Sequence, residues 1–135
     1  MVQLSLNRLQ SAEWHFNLAK KLSALREQGV LIIGSGNIVH NLRVISWEHI
    51  DQIGAGYDWA FAFRETINQA IATQDDKTLV HYEQLGEKAD LSVPTPDHYL
   101  PLLYIMALCE PQDEITFFNN KLITGSLSMM SVLVG

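Results

Sequence analysis

The chain has 135 residues, 47% of them hydrophobic, which is one domain's worth of sequence and enough to bury a core. Its net charge of −6 sets 15 acidic side chains against only 9 lysines and arginines, scattered singly, and this argues against a nucleic-acid-binding stripe. No apolar run reaches the ~18–20 residues of a membrane span, so neither nucleic acid nor membrane is an expected partner.

Residues 2–6 (VQLSL) alternate apolar and polar side chains and predict a strand that begins almost at the first residue. A helix is predicted over 11–28, with Ser11 as N-cap and Gly29 as its stop. Trp14, Leu18, Leu22 and Leu25 recur on one face of it. VLIIG, at 30–34, is a continuous apolar run of the kind that forms a strand buried on both faces. Strand, helix and strand in succession make a βαβ unit with a right-handed crossover. The loop that follows, GSGNIVHN, then lies at the carboxyl end of a parallel strand, where open α/β sheets place ligand sites.

Residues 44–57 contain Gly54 and Gly56 and predict a loop. A helix is expected over 58–72, with Trp59, Phe63, Ile67 and Ala70 on one face. A shorter helix is expected over 75–85, its acidic residues at the N-terminal end where the helix dipole favours them. GEKADLSVP reads as a surface connection. Thr95 and Pro96 predict the start of an apolar helix over 96–109, with a kink or an early 3₁₀ turn at Pro101. Two strands are expected at 115–119 and 126–133. Met129 and Met130, with Leu127, Val132 and Val134, read as core, and Tyr57, Trp59, Phe61 and Phe63 as an aromatic packing cluster. The expected fold class is α/β: a single domain with a mixed central sheet flanked by helices, opening on the βαβ unit.

Cys109 is the one cysteine, so no intramolecular disulfide forms, and its apolar setting predicts a buried structural thiol. The N-terminus lacks a charged segment followed by an apolar core, so a cytoplasmic location is expected. Of five histidines, His15, His49 and His81 read as surface or boundary residues. His40 and His98 stand at element boundaries: His40 in a loop whose glycines permit close backbone approach, His98 in a turn pinned by Thr95 and Pro96. Imidazole is both the commonest transition-metal ligand and the side chain suited to proton transfer near neutral pH. The alternative is a tight turn that happens to contain a histidine. The loop is neither a phosphate loop nor a dinucleotide fingerprint, because Val39 stands where the third glycine would be. There is no HExxH pair and no GxSxG elbow.

The segments AEWHFNLAKKLSALREQGVLIIGSGNIVHNLR, PTPDHYLPLLY and GSLSMMSV resemble the class III extradiol ring-cleavage dioxygenases, in particular the 4,5-DOPA dioxygenase extradiol group. The resemblance runs along nearly the whole chain and corresponds to the C-terminal half of the catalytic domain over residues 1–135. It implies an iron(II) or zinc(II) site that opens a catechol ring with O₂. His40 then corresponds to an active-site histidine at the metal that acts as acid–base, and His98 to a metal ligand. Asn37 and Tyr99 are the candidates for contact with the substrate. The motifs GHGSP and SAHW, which carry two further metal histidines in the family's N-terminal half, do not occur here. The implied function is therefore a catechol ring-cleaving dioxygenase-like protein, incomplete alone: a fragment or truncated reading frame, or a chain completed by a separate N-terminal half or by homo-oligomerisation. The alternative is a non-catalytic oligomeric binding or assembly module that keeps the fold.

Overall fold

A computed structural model describes residues 1–50 and 52–135. The described residues form a mixture of six α-helices and two small antiparallel sheets. The helices are α1 (Ala12–Lys20), α2 (Ser23–Glu27), α3 (Asp58–Ala72), α4 (Asp76–Val80), α5 (Glu87–Ser92) and α6 (Leu100–Met106). The strands are β1 (Ile115–Phe118), β2 (Leu122–Ile123), β3 (Leu127–Ser128) and β4 (Ser131–Val134). β1 pairs with β4 and β2 with β3.

Ser11 caps α1 by accepting a hydrogen bond from the Trp14 amide, as its position predicts. The predicted helix over 11–28 is split by a turn at Lys21–Leu22. The buried side of α1 is also rotated from the expected one. His15, Phe16 and Ala19 face inward, where α1 packs on α6, while Trp14 is 42% exposed. His15 is thus no surface residue. Its Nδ1 lies 2.9 Å from the Tyr104 hydroxyl and its Nε2 2.9 Å from the Asn7 carbonyl, so both polar atoms are satisfied within the core.

The opening βαβ unit is not formed as hydrogen-bonded strands. Residues 2–6 and 30–34 carry no ladder, and Leu31 and Ile33 are 79% and 78% exposed rather than buried. Apolar patterning specifies an extended backbone, but a strand exists only against a neighbour, and none lies within the described residues.

α3 has the predicted bounds and buries Ala60, Phe63, Ile67, Ala70 and Ile71. Residues 75–85 divide into α4, capped by Asp75 on the Thr78 amide, and a 3₁₀ turn at Tyr82–Leu85. The expected surface connection at 86–94 is instead α5, because Ala89, Ser92 and Val93 lie at helical spacing and pack against α3. The single helix expected over 96–109 becomes a 3₁₀ turn at Pro96–His98 followed by α6. Pro101 sits in the first turn of α6, where its missing N–H costs nothing, so the helix starts there rather than kinking. Cys109 is half-buried just beyond α6, and burial raises its thiol pKa, which keeps it protonated and unreactive. The strand expected at 126–133 breaks into β3 and β4, leaving Met129 exposed and Met130 against the core.

The outer end of α2 is tied to the β1 approach by Arg26, whose guanidinium grips both oxygens of Asp113 at 2.7 and 3.0 Å and also donates to the Leu108 carbonyl. This hydrogen bonding holds the Asp113 carboxyl below its ordinary pKa. The stability it contributes is present above the ordinary carboxylate range and is lost as pH falls through the depressed value. Asp113→Asn is expected to lower stability at neutral pH by roughly 0.5–1 kcal/mol and to shallow the acid limb of the unfolding profile. Denaturant midpoints measured from pH 7 to pH 3 test this; parallel curves for both proteins contradict it.

Candidate functional site

His40 and His98 come together. Their ring centres are 5.0 Å apart and the planes are inclined by 37°. The loop carrying His40 and the 3₁₀ turn carrying His98 are joined through Asn37, whose amide donates to the His98 carbonyl at 2.7 Å. The Asn37 carbonyl in turn lies 3.0 Å from His40 Nδ1, and the Thr95 carbonyl 3.0 Å from His40 Nε2. Both edges of the ring are thereby fixed by backbone oxygens from the two segments.

The loop is anchored from two further sides. The last carbonyls of α5 accept hydrogen bonds from it: Ser92 from the His40 amide at 2.9 Å, and Leu91 from the Asn41 side-chain amide at 2.7 Å. From the other side the Ser126 hydroxyl donates to the Asn41 carbonyl at 2.8 Å, and the Ser128 amide to the Val39 carbonyl at 2.9 Å. A single antiparallel bridge joins His40 to Leu127. The helix end and β3 thus clamp the loop like jaws.

Glycine is required in this loop for proximity rather than for turning. A Cβ on Gly36 would stand 2.2 Å from the His98 carbonyl oxygen, and one on Gly34 2.7 Å from that of Pro101. Both obstacles are backbone, which cannot swing aside.

His40 is buried and His98 exposed. Burial lowers the His40 pKa, and His98 adds to this, against a smaller raising effect from the carbonyls. A neutral imidazole donates from only one nitrogen, so the other directs a lone pair at a carbonyl 3.0 Å away. A proton on that nitrogen turns the contact into a hydrogen bond. Asp97 Oδ2 lies 3.5 Å from His98 Nε2, and interaction with the Thr95 side chain keeps this carboxyl below its usual pKa and ionised. Among the described residues no three His, Cys, Asp or Glu side chains converge on one point.

The two substrate candidates differ in placement. Asn37 is half-buried, and its side-chain Oδ1 is buried without a hydrogen-bond partner, next to the histidine pair in sequence. Tyr99 is fully buried between Phe63 and Tyr82, its hydroxyl donating to the Leu79 carbonyl at 3.0 Å. That geometry makes Tyr99 a packing residue that seats the His98 turn on the core. Tyr99→Phe is expected to cost about 1–2 kcal/mol of stability while leaving metal affinity unchanged. A denaturation curve beside a zinc titration decides between packing and substrate contact. Sequence reasoning missed Ser92 and Ser126, buried polar residues that hold the loop together with Asn41. Its place between Leu91 and Val93 was the available signal for Ser92.

Comparison with known proteins bears on what this pair belongs to. The 4,5-DOPA dioxygenase extradiol of Escherichia coli K12 is 43% identical over 138 aligned residues, which take in all of this chain and 49% of that protein. The protein of the same name from Beta vulgaris is 27% identical across 93% of this chain and 46% of its own length. The chain is homologous to about half of these proteins. A crystal structure of an uncharacterised Escherichia coli K12 protein superposes with a TM-score of 0.87 at 40% identity, over 97% of this chain and 53% of that one. No protein-family model matches. The matched Escherichia coli and Beta vulgaris proteins thus span about twice the length of this chain.

Proposed function

We propose that residues 1–135 form the C-terminal half of an extradiol dioxygenase-like catalytic domain, in which His40 and His98 provide part of a non-haem metal site. The observation that carries this reading is the approach of the two imidazoles to 5.0 Å, with four backbone and side-chain anchors holding the His40 loop. Imidazole nitrogens suit iron(II) and zinc(II) alike, and two neighbouring rings supply part of a shell that in non-haem iron oxygenases comprises three protein ligands. Bound iron(II) would supply the Lewis acidity and redox chemistry by which O₂ opens a catechol ring.

The chain's own part follows from its residues. His98, on the exposed side, offers an imidazole to the ion. His40 holds a proton between its ring and the Asn37 or Thr95 carbonyl, and with a lowered pKa it is largely neutral at pH 7 and able to take a proton from a catechol hydroxyl. The Asn37 Oδ1, buried three residues before His40, is an acceptor without a partner. The remaining ligands lie outside this chain.

Zinc binding by the purified chain, measured by competition with a chromogenic chelator, tests the reading. His40→Ala and His98→Ala are each expected to weaken binding at least tenfold with the circular dichroism spectrum unchanged. Equal affinity in the parent and both variants would leave a non-catalytic assembly module as the better account.

A further inference from the structure

We propose that Asp97 is a positioning residue for the histidine pair, its carboxylate steadying the exposed His98 ring beside His40. The inference rests on the half-site proposed above and adds a role that neither histidine can fill. His40 is held from both edges, by the Asn37 carbonyl at Nδ1 and the Thr95 carbonyl at Nε2, each 3.0 Å away. His98 lacks this support. Its side chain is 57% exposed, and the polar group that faces its ring is Asp97, whose Oδ2 lies 3.5 Å from Nε2. A surface imidazole without a partner is free to sample its side-chain torsions, and capturing an ion then costs the entropy of ordering the ring.

Two observations give Asp97 this part. The carboxylate is itself held, because it interacts with the Thr95 side chain, and the same Thr95 turns its carbonyl to His40 Nε2. One residue thereby ties both the His40 ring and the carboxylate that faces His98. The backbone of the Pro96–His98 turn is also fixed, since the His98 carbonyl accepts the 2.7 Å bond from the Asn37 amide. What remains to be set at His98 is the direction of its ring. A neutral ring that donates Nε2–H to Asp97 keeps its Nδ1 lone pair open. Carboxylate partners of this kind orient ligating imidazoles and raise their basicity. An exposed pair of neighbours adds little to stability, so Asp97 supplies orientation rather than fold.

The test compares Asp97→Ala and Asp97→Asn with the parent chain by NMR and by zinc titration. The metal-free parent is expected to show nuclear Overhauser cross-peaks between the rings of His40 and His98, whose centres are 5.0 Å apart. Asp97→Ala is expected to lose these cross-peaks and to bind zinc about tenfold more weakly, with its circular dichroism spectrum unchanged. Asparagine keeps an acceptor for Nε2–H without the charge, so Asp97→Asn should retain the cross-peaks and most of the affinity. Cross-peaks and affinity that both survive in Asp97→Ala overturn the inference. So does an asparagine variant that keeps the cross-peaks yet loses as much affinity as alanine, because charge and not orientation would then be at work. The cross-peaks are read without metal, so a parent that binds no zinc counts against the proposed half-site while they still decide the role of Asp97.

Discussion

Gly36→Ala is expected to lower the affinity of the histidine pair for zinc by at least tenfold and to destabilise the fold by about 1–3 kcal/mol. The added methyl would lie 2.2 Å from the His98 carbonyl oxygen, 3.1 Å from Pro101 Cγ and 3.2 Å from the His98 carbonyl carbon. Two of these three atoms belong to the backbone of the segment bearing His98. Relief requires the loop and the 3₁₀ turn to separate, which breaks the 2.7 Å bond from the Asn37 amide and carries the two rings apart. Ser35→Ala, one residue away on an exposed position, serves as control and should be nearly neutral in both readouts. A zinc titration and a denaturation curve on each variant are sufficient. If Gly36→Ala binds zinc as the parent does, the close approach of these loops has no part in the site.

Asn41→Ala carries the second large effect, about 2–4 kcal/mol of stability. Asn41 is 6% exposed and works in three directions. Its Nδ2 donates to Leu91 at the end of α5, its Oδ1 accepts from the Arg43 amide, and its carbonyl accepts from Ser126. The side chain's removal strands a partly buried carbonyl, costing about 1–3 kcal/mol, and strips the cap of the following turn, costing about 1 kcal/mol more. Asn41→Asp separates the contributions, since it keeps the cap acceptor but sets a negative oxygen against the Leu91 carbonyl. It should therefore be no more stable than the alanine variant. Recovery of parental stability by aspartate, seen in urea midpoints, would show that the bond to Leu91 contributes nothing.

The contrast between α3 and α5 shows what pattern reveals and what it hides. α3 was legible because its apolar residues repeat over four turns on one face, and 58–72 emerged with the right ends. α5 has six residues, too few for a periodic signal, and only Ala89 and Leu91 of its sequence EKADLS are apolar. VLIIG misled in the opposite sense. Its composition carries a strong preference for extended backbone, but burial on two faces is a property of neighbours and not of the run itself. His15 likewise looked peripheral beside Trp14, and only the seating of α1 on α6 turned it inward toward Tyr104.

By itself the sequence determined that this is an α/β chain homologous to the extradiol dioxygenases, and it singled out His40 and His98 by motif. It determined Ser11 as a cap and α3 as a helix, because those choices depend on residues within a few positions of one another. Only the tertiary structure decided that the two histidines meet at 5.0 Å, that Gly36 is there to admit the His98 carbonyl, and that Tyr99 belongs to the core. Each of these depends on contacts between segments well separated along the chain, which are fixed when the whole core packs and carry no periodic trace in the sequence.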